Sequence, residues 1–162
     1  MDMDTYRANK EVAQKIHERA RYLRGRFLNH VAVIERDIVL ILTDYFCGED
    51  VSVRFFSLRA KANALVKIVK NDYPWFWDEN AAILADLDGI INFRNKLAHS
   101  VVDVSEQALA RPIEEGIGFV EWKEGEPFTD ARFQEWEVKA NMVLSRLSDL
   151  KALLPFKEKP IP

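Results

Sequence analysis

Apolar residues recur every three or four positions along most of this 162-residue chain. That spacing places them on one side of an α-helix, whereas a half-buried strand would alternate at every second position. Gly25 predicts a break between the first two helices, and Pro155 predicts the end of the last one. The predicted helices cover residues 4–23, 27–46, 55–70, 78 or 79 to 99, and about 129–153, the last with Thr129 or Asp130 as its N-cap.

Residues 101–129 interrupt the helical spacing. Residues 101–104 have the character of a short extended piece, and residues 118–123 alternate before a predicted turn at Glu124-Gly125 leads back into residues 127–129. We therefore predict an all-α fold, an antiparallel bundle of four to five helices with a small β-hairpin or ordered loop before the last helix. The predicted domain spans residues 1–154, with the insertion at 101–129 and a C-terminal tail at 155–162.

The composition is that of an ordinary globular protein, with 48% hydrophobic and 30% charged residues. The net charge of −3 provides no global attraction to nucleic acid or to anionic lipid. Cys47 is the only cysteine, which excludes an intrachain disulfide and a CxxC metal site. Because no apolar stretch is long enough to span a bilayer and the N-terminus has no signal core, we expect a cytoplasmic protein without membrane contact.

One stretch is locally basic. Between residues 51 and 71 the sequence contains no acid. Such a stretch could contact a phosphate backbone, but a solvated helix face is the more common explanation. Its basic residues are Arg54, Arg59, Lys61, Lys67 and Lys70.

The motif with the clearest chemical meaning is Arg94-Asn95-Lys96-Leu97-Ala98-His99, at the predicted end of a helix. A histidine changes its charge near neutral pH and can act as base or acid. An arginine offers a planar, permanently charged fork to phosphate oxygens. Asn95 is placed to orient either Arg94 or His99. These are the groups required when the 2′-hydroxyl of an RNA attacks its own phosphate.

This hexapeptide resembles the signature of HEPN domains, which is Arg, then Asn, Asp or His, then three residues and His. Its place late in a helical bundle is also typical of that family, and residues 34–46 are similar to the second helix of many bacterial members. The resemblance implies a metal-independent endoribonuclease of a toxin–antitoxin or defence system, without a cofactor. It implies Arg94, Asn95 and His99 as catalytic residues. It also implies a homodimer, in which Arg and His of two chains converge on the RNA, and a protein antitoxin or regulator as a further partner.

A helical wheel adds Glu35 to the candidate site. Arg94 falls on the apolar stripe with Ile90 and Leu97, and Glu35 lies in line with Ile38 on an earlier helix. Because a buried arginine requires a partner, we predict a Glu35–Arg94 ion pair. Such a pair would either pin the bundle together or orient Arg94 toward a cleft.

Two alternatives stay open. The chain could be a non-catalytic helical interaction module that keeps the motif for folding or dimerisation, since many HEPN members are inactive scaffolds. It could also be a transcription-associated regulator resembling the mannitol-repressor type, which binds a protein. His17 and His30 have no ligand at i+3 or i+4, and the sequence predicts no metal site.

Overall fold

The computed structural model describes residues 3–46, 56–120 and 128–154. Within these ranges the chain forms an all-α helical bundle with a small two-stranded sheet before the last helix, which confirms the predicted fold class. None of the helices in the described ranges has the length and apolar character needed to cross a membrane. The elements are α1 (Met3–Tyr45), α2 (Leu58–Asp72), α3 (Pro74–His99), β1 (Val101–Val102), α4 (Glu106–Leu109), a 3₁₀ turn (Ile113–Glu115), β2 (Phe119–Val120) and α5 (Asp130–Leu153).

The first helix is continuous, and the predicted break at Gly25 is wrong. Gly25 is exposed, and a Cβ added there would meet no atom within 4 Å. A glycine inside a helix costs only about 1 kcal/mol relative to alanine, and no proline is present to remove a hydrogen bond. The buried positions continue in helical phase across Gly25, from Leu23 to Phe27 and Val31, so burial outweighs the local preference.

The boundary between α2 and α3 is sharper than the sequence indicated. Tyr73 ends α2, and its carbonyl accepts the backbone N–H groups of Phe76 and Trp77 in the first turn of α3. Helix α3 begins at Pro74 rather than at residue 78 or 79. Proline is favoured at the first helical position because its missing N–H would have no partner there, and the following residues 75–77 are helical.

Side-chain caps begin three of the described helices, and Ser105 is the cap of the short helix α4. Ser57 Oγ accepts the backbone N–H of Ala60 at 3.2 Å, which explains why α2 begins at residue 58 rather than 55. Thr129 Oγ1 accepts the N–H of Arg132 at 3.2 Å, which confirms one of the two predicted caps of α5.

Extended structure is confined to the predicted insertion within the described residues. Strand β1 pairs with β2 in antiparallel register, Val101 opposite Val120. Ile117 forms an isolated antiparallel bridge with Phe128, as expected for a chain that turns back. The predicted turn at residues 124–125 lies outside the described residues, as does the tail at 155–162. Helix α4 and the 3₁₀ turn were not predicted.

Contacts divide the chain into two compact units. Unit 1 consists of Met1–Leu28 and Phe93–Trp136, and unit 2 of Asn29–Asn92 and Glu137–Pro162. The core of unit 1 is rich in aromatic rings, namely Phe27, Phe93, Phe119, Phe128 and Phe133. The core of unit 2 is mostly aliphatic and includes Ile34, Ile38, Leu65, Leu84, Ile90, Val143 and Leu147. The single domain over residues 1–154 stays a prediction.

Candidate active site

The residue that precedes the motif anchors the end of α3 in the core of unit 1. The ring of Phe93 stacks on Trp136 at a centroid distance of 5.1 Å. It also packs edge-to-face on Phe27, Phe128 and Phe133 at 4.8 to 5.6 Å. Aromatic pairs of this kind contribute about 0.5–1.5 kcal/mol each beyond the area they bury. The backbone that carries the motif is therefore held by rings from α1, α5 and the inserted segment.

Arg94 and Asn95 form a hydrogen-bonded pair. Arg94 Nη1 donates to Asn95 Oδ1 at 3.0 Å, and both side chains are half-buried. This bond gives Asn95 one of the orienting roles that the sequence suggested. No carboxylate among the described residues pairs with Arg94. One of the five guanidinium N–H groups is thus engaged by the neighbouring amide, and the fork keeps donors for an anion.

His99 is the last residue of α3, and its side chain is exposed. Together with Lys96 it places basic side chains in the final turn, where the helix dipole favours positive charge. The next residue, Ser100, is buried and donates its backbone N–H to Lys96 O at 2.9 Å. The imidazole thus lies at the C-terminus of α3, directly before a buried and hydrogen-bonded residue, and is accessible to a substrate.

Arg24 is a residue of this site that the sequence did not single out. Its Nη2 donates to the carbonyl oxygen of Ser100 at 2.9 Å, and its guanidinium lies over the ring of Phe119 at 5.2 Å. One side chain of α1 thereby connects the residue after His99 to strand β2. The available sequence signal was that Arg24 borders the buried stripe formed by Leu23 and Phe27.

The segment after the motif packs closely against the strand that returns to it. Asp103 donates its backbone N–H to Gly118 O at 2.8 Å. A Cβ added at Gly118 would lie 2.7 Å from Asp103 Cβ, so only glycine permits this approach. The close contact therefore fixes the path of the backbone in the residues that follow His99.

Glu35 has a different partner from the one predicted. Its Oε1 lies 2.5 Å from Lys61 Nζ, whereas Arg94 is hydrogen-bonded to Asn95. The predicted Glu35–Arg94 ion pair is therefore corrected to Glu35–Lys61, within unit 2. The correction arises because Lys61 belongs to the buried face of α2 and supplies the opposite charge that Glu35 requires.

The basic stretch on α2 is largely engaged by other side chains. Its members were Arg54, Arg59, Lys61, Lys67 and Lys70, of which Arg54 lies outside the described residues. Arg59 forms an ion pair with Asp88 and donates to Asn92 Oδ1 at 2.7 Å. Lys70 Nζ lies 4.3 Å from the centroid of the Trp77 ring. These contacts favour a structural role for the stretch over a phosphate-binding role.

The described residues contain no group of three or more His, Cys, Asp or Glu side chains that could hold a metal ion. Comparisons with protein-family models, with curated proteins and with solved structures found no match to this chain. A function is therefore inferred from the motif residues and from the side chains around them.

Proposed function

We propose that this chain is a HEPN-type RNA-cleaving domain, a metal-independent endoribonuclease that acts as a homodimer in the cytoplasm. The observation that carries the proposal is the composition of the end of α3. There, a half-buried arginine is held by the amide of Asn95 at 3.0 Å, one turn before an exposed histidine. A protein antitoxin or regulator is the further partner that the family resemblance implies.

The proposed reaction uses these groups in distinct roles. One His99 removes the proton of the 2′-hydroxyl, whose oxygen attacks the adjacent phosphorus. The bond from phosphorus to the 5′-oxygen breaks, and a second histidine donates a proton to that oxygen. Arg94 binds the non-bridging phosphate oxygens, where negative charge accumulates. The products are a 2′,3′-cyclic phosphate and a free 5′-hydroxyl.

Because one chain supplies a single motif histidine, the reaction requires a second copy of the chain. An apolar surface follows the motif directly and is suited to such a contact. Val101 is 68% exposed and lies opposite Val120, which is 46% exposed, and Val104 extends the same surface. Exposed apolar clusters of this kind commonly mark interfaces, and two-fold dimers are the most frequent oligomers.

The test is incubation of the purified protein with a mixed RNA pool, with and without a chelator. We expect cleavage in both conditions, products with cyclic phosphate ends, and no cut at a site that carries a 2′-deoxy substitution. His99→Ala should abolish cleavage without loss of stability, since His99 is exposed. Arg94→Ala should abolish cleavage with a modest loss of stability, since Arg94 is half-buried.

The matched control is His30→Ala, which removes a histidine from unit 2 and should leave cleavage unchanged. Light scattering should give the mass of a dimer for the wild type and of a monomer for Val101→Glu. A wild type that cuts none of many RNAs would favour the non-catalytic module or the regulator of the mannitol-repressor type. Cleavage that survives His99→Ala would remove the motif from the reaction.

A further inference from the structure

The N-terminal half of α1 separates its charges into lines. Positions seven apart on a helix differ by about 20° in direction, so they form a line along the axis. The acidic line consists of Asp4, Glu11 and Glu18. A second line consists of Lys10, His17 and Arg24. Arg21 lies beside the second line, one turn from both His17 and Arg24. We name Lys10, His17, Arg21 and Arg24 the basic face.

Most of the basic face is accessible and forms no ion pair with the described residues. Lys10, His17 and Arg21 are exposed. The ion pairs in the described part of the chain do not involve any of the three. Asp4 and Glu11 lie about a quarter turn or more from Lys10 and His17. Glu18 precedes Arg21 by three residues and is its neighbour on the helix, and its carboxylate accepts a hydrogen bond from Gln14 at 3.0 Å. Among the described residues, the face therefore keeps an excess of positive charge, with Glu18 at its edge beside Arg21.

Arg24 connects the basic face to the candidate active site. Its Nη2 donates to the carbonyl oxygen of Ser100 at 2.9 Å, and Ser100 directly follows His99. From Lys10 to Arg24 the helix rises by about 21 Å, at 1.5 Å per residue. One end of this line of charges therefore contacts the residue that follows the histidine, and the other end lies about 21 Å away along the helix.

An exposed aromatic ring extends the same face outward. Tyr6 precedes Lys10 by one helical turn and is 52% exposed. Eighteen residues separate it from Arg24, which corresponds to about five full turns and places both on one line. A ring beside a line of cations is the arrangement with which proteins bind single strands, since bases stack on the ring while cations contact phosphates.

We propose that the basic face binds the phosphodiester backbone of a single-stranded RNA substrate and leads it to His99, with Tyr6 stacking on a base at the outer end. This inference rests on the proposed ribonuclease function and assigns its substrate surface. A single strand is favoured because its phosphodiester can bend until the 2′-oxygen is in line with the leaving oxygen. A duplex also hides the bases that Tyr6 would stack on.

The test is binding of a fluorescent oligouridylate, followed by anisotropy, to the His99→Ala protein so that no cleavage occurs. At about 0.1 M salt, each lost phosphate contact should weaken single-strand binding about fivefold and lower the salt slope by about 0.7. Lys10→Glu and Arg21→Glu should each have at least this effect. Lys15→Glu is the matched control, because it makes the same charge change on another face of the same helix.

Stacking of a base on Tyr6 is tested by two substitutions of that residue. Tyr6→Ala should weaken binding several-fold and Tyr6→Phe should restore it, since stacking needs only the ring. Tyr22 has the same exposed fraction of 52% but lies on another face, so Tyr22→Ala should bind almost as the parent does.

The outcomes separate this inference from the proposed function. Binding that depends on Lys10 and Arg21 in a protein that never cuts RNA would support the basic face and overturn the nuclease. Cleavage by the wild type, with equal effects of Lys10→Glu and Lys15→Glu on binding, would overturn the basic face alone. An absence of measurable binding by the His99→Ala protein would also overturn it.

Discussion

The ion pair between Glu35 and Lys61 gives the most quantitative prediction. Lys61 Nζ lies 2.5 Å from Glu35 Oε1, and the exposed side-chain fractions are 6% for the lysine and 36% for the glutamate. Truncation of Glu35 to alanine leaves the ammonium of Lys61 buried without its counter-charge. We expect Glu35→Ala to lower the free energy of unfolding by about 3 kcal/mol.

This magnitude follows from two opposing contributions. At 2.5 Å and an effective dielectric constant of about 20, two unit charges attract by about 7 kcal/mol. Removal of the carboxylate also relieves the desolvation of Glu35, which offsets several kcal/mol of the lost attraction, whereas the ammonium of Lys61 stays desolvated. The difference is about 3 kcal/mol, at the lower end of the range for breaking buried pairs because one partner reaches water.

Three variants show whether the stranded charge causes the loss. Glu35→Gln keeps an acceptor for the ammonium and should cost less than Glu35→Ala. Lys61→Met removes the charge at similar volume and should change the free energy of unfolding very little. Combined with Glu35→Ala, it should recover most of the stability that Glu35→Ala alone loses. Asp149→Ala is the surface control. Its pair with Arg146 has side chains that are 39% and 47% exposed, and it should cost at most about 0.5 kcal/mol.

The assay is urea unfolding followed by far-ultraviolet circular dichroism, with the m-values compared so that only stability differences are interpreted. A cost of Glu35→Ala no greater than that of Asp149→Ala would contradict a buried, stranded ammonium. That result would mean that the ammonium of Lys61 reaches water once the carboxylate is removed.

Two glycines, Gly116 and Gly25, and the phenol of Tyr45 give further predictions about stability. Gly116 has φ of 120°, and an added Cβ would lie 2.9 Å from the carbonyl oxygen of Phe128. Gly116→Ala should therefore lower the free energy of unfolding in urea by about 2 kcal/mol or more. Gly25→Ala should raise the free energy of unfolding by about 0.5–1 kcal/mol. A lower stability of the Gly25 variant would contradict the continuous helix. The hydrogen bond that Tyr45 donates to Asp72 raises the pKa of Tyr45 to about 12, from 10 in the unfolded chain. Below pH 10 the wild type should therefore have its full advantage over Tyr45→Phe in the free energy of unfolding. This advantage should disappear as the pH rises through about 12. A tyrosinate titration in which Tyr45 ionises near pH 10 would contradict this prediction.

The positions of most helices could be predicted from the sequence because the causes are local. Apolar spacing and the Thr129 cap located α5, and the interrupted helical spacing with alternation located the extended pieces within residues 101–129. The motif residues Arg94 and Asn95 could also be related to each other, since neighbours on one helix contact without any long-range folding. The start of α3 at Pro74 was missed because the sequence predicted the helix only from residue 78 or 79, although proline is favoured at the first helical position.

The choice of partners across the chain is what only the tertiary structure decided. Glu35 lies 26 residues from Lys61, and Arg24 lies 76 residues from Ser100. A helical wheel shows that a charge faces inward, but it does not show which opposite charge another helix brings to it. The sequence by itself therefore determined the helices, the insertion and the Arg94–His99 motif. Packing determined that α1 continues through Gly25, that Lys61 neutralises Glu35, and that Arg24 holds the chain just beyond His99, because these outcomes depend on contacts between residues far apart in sequence.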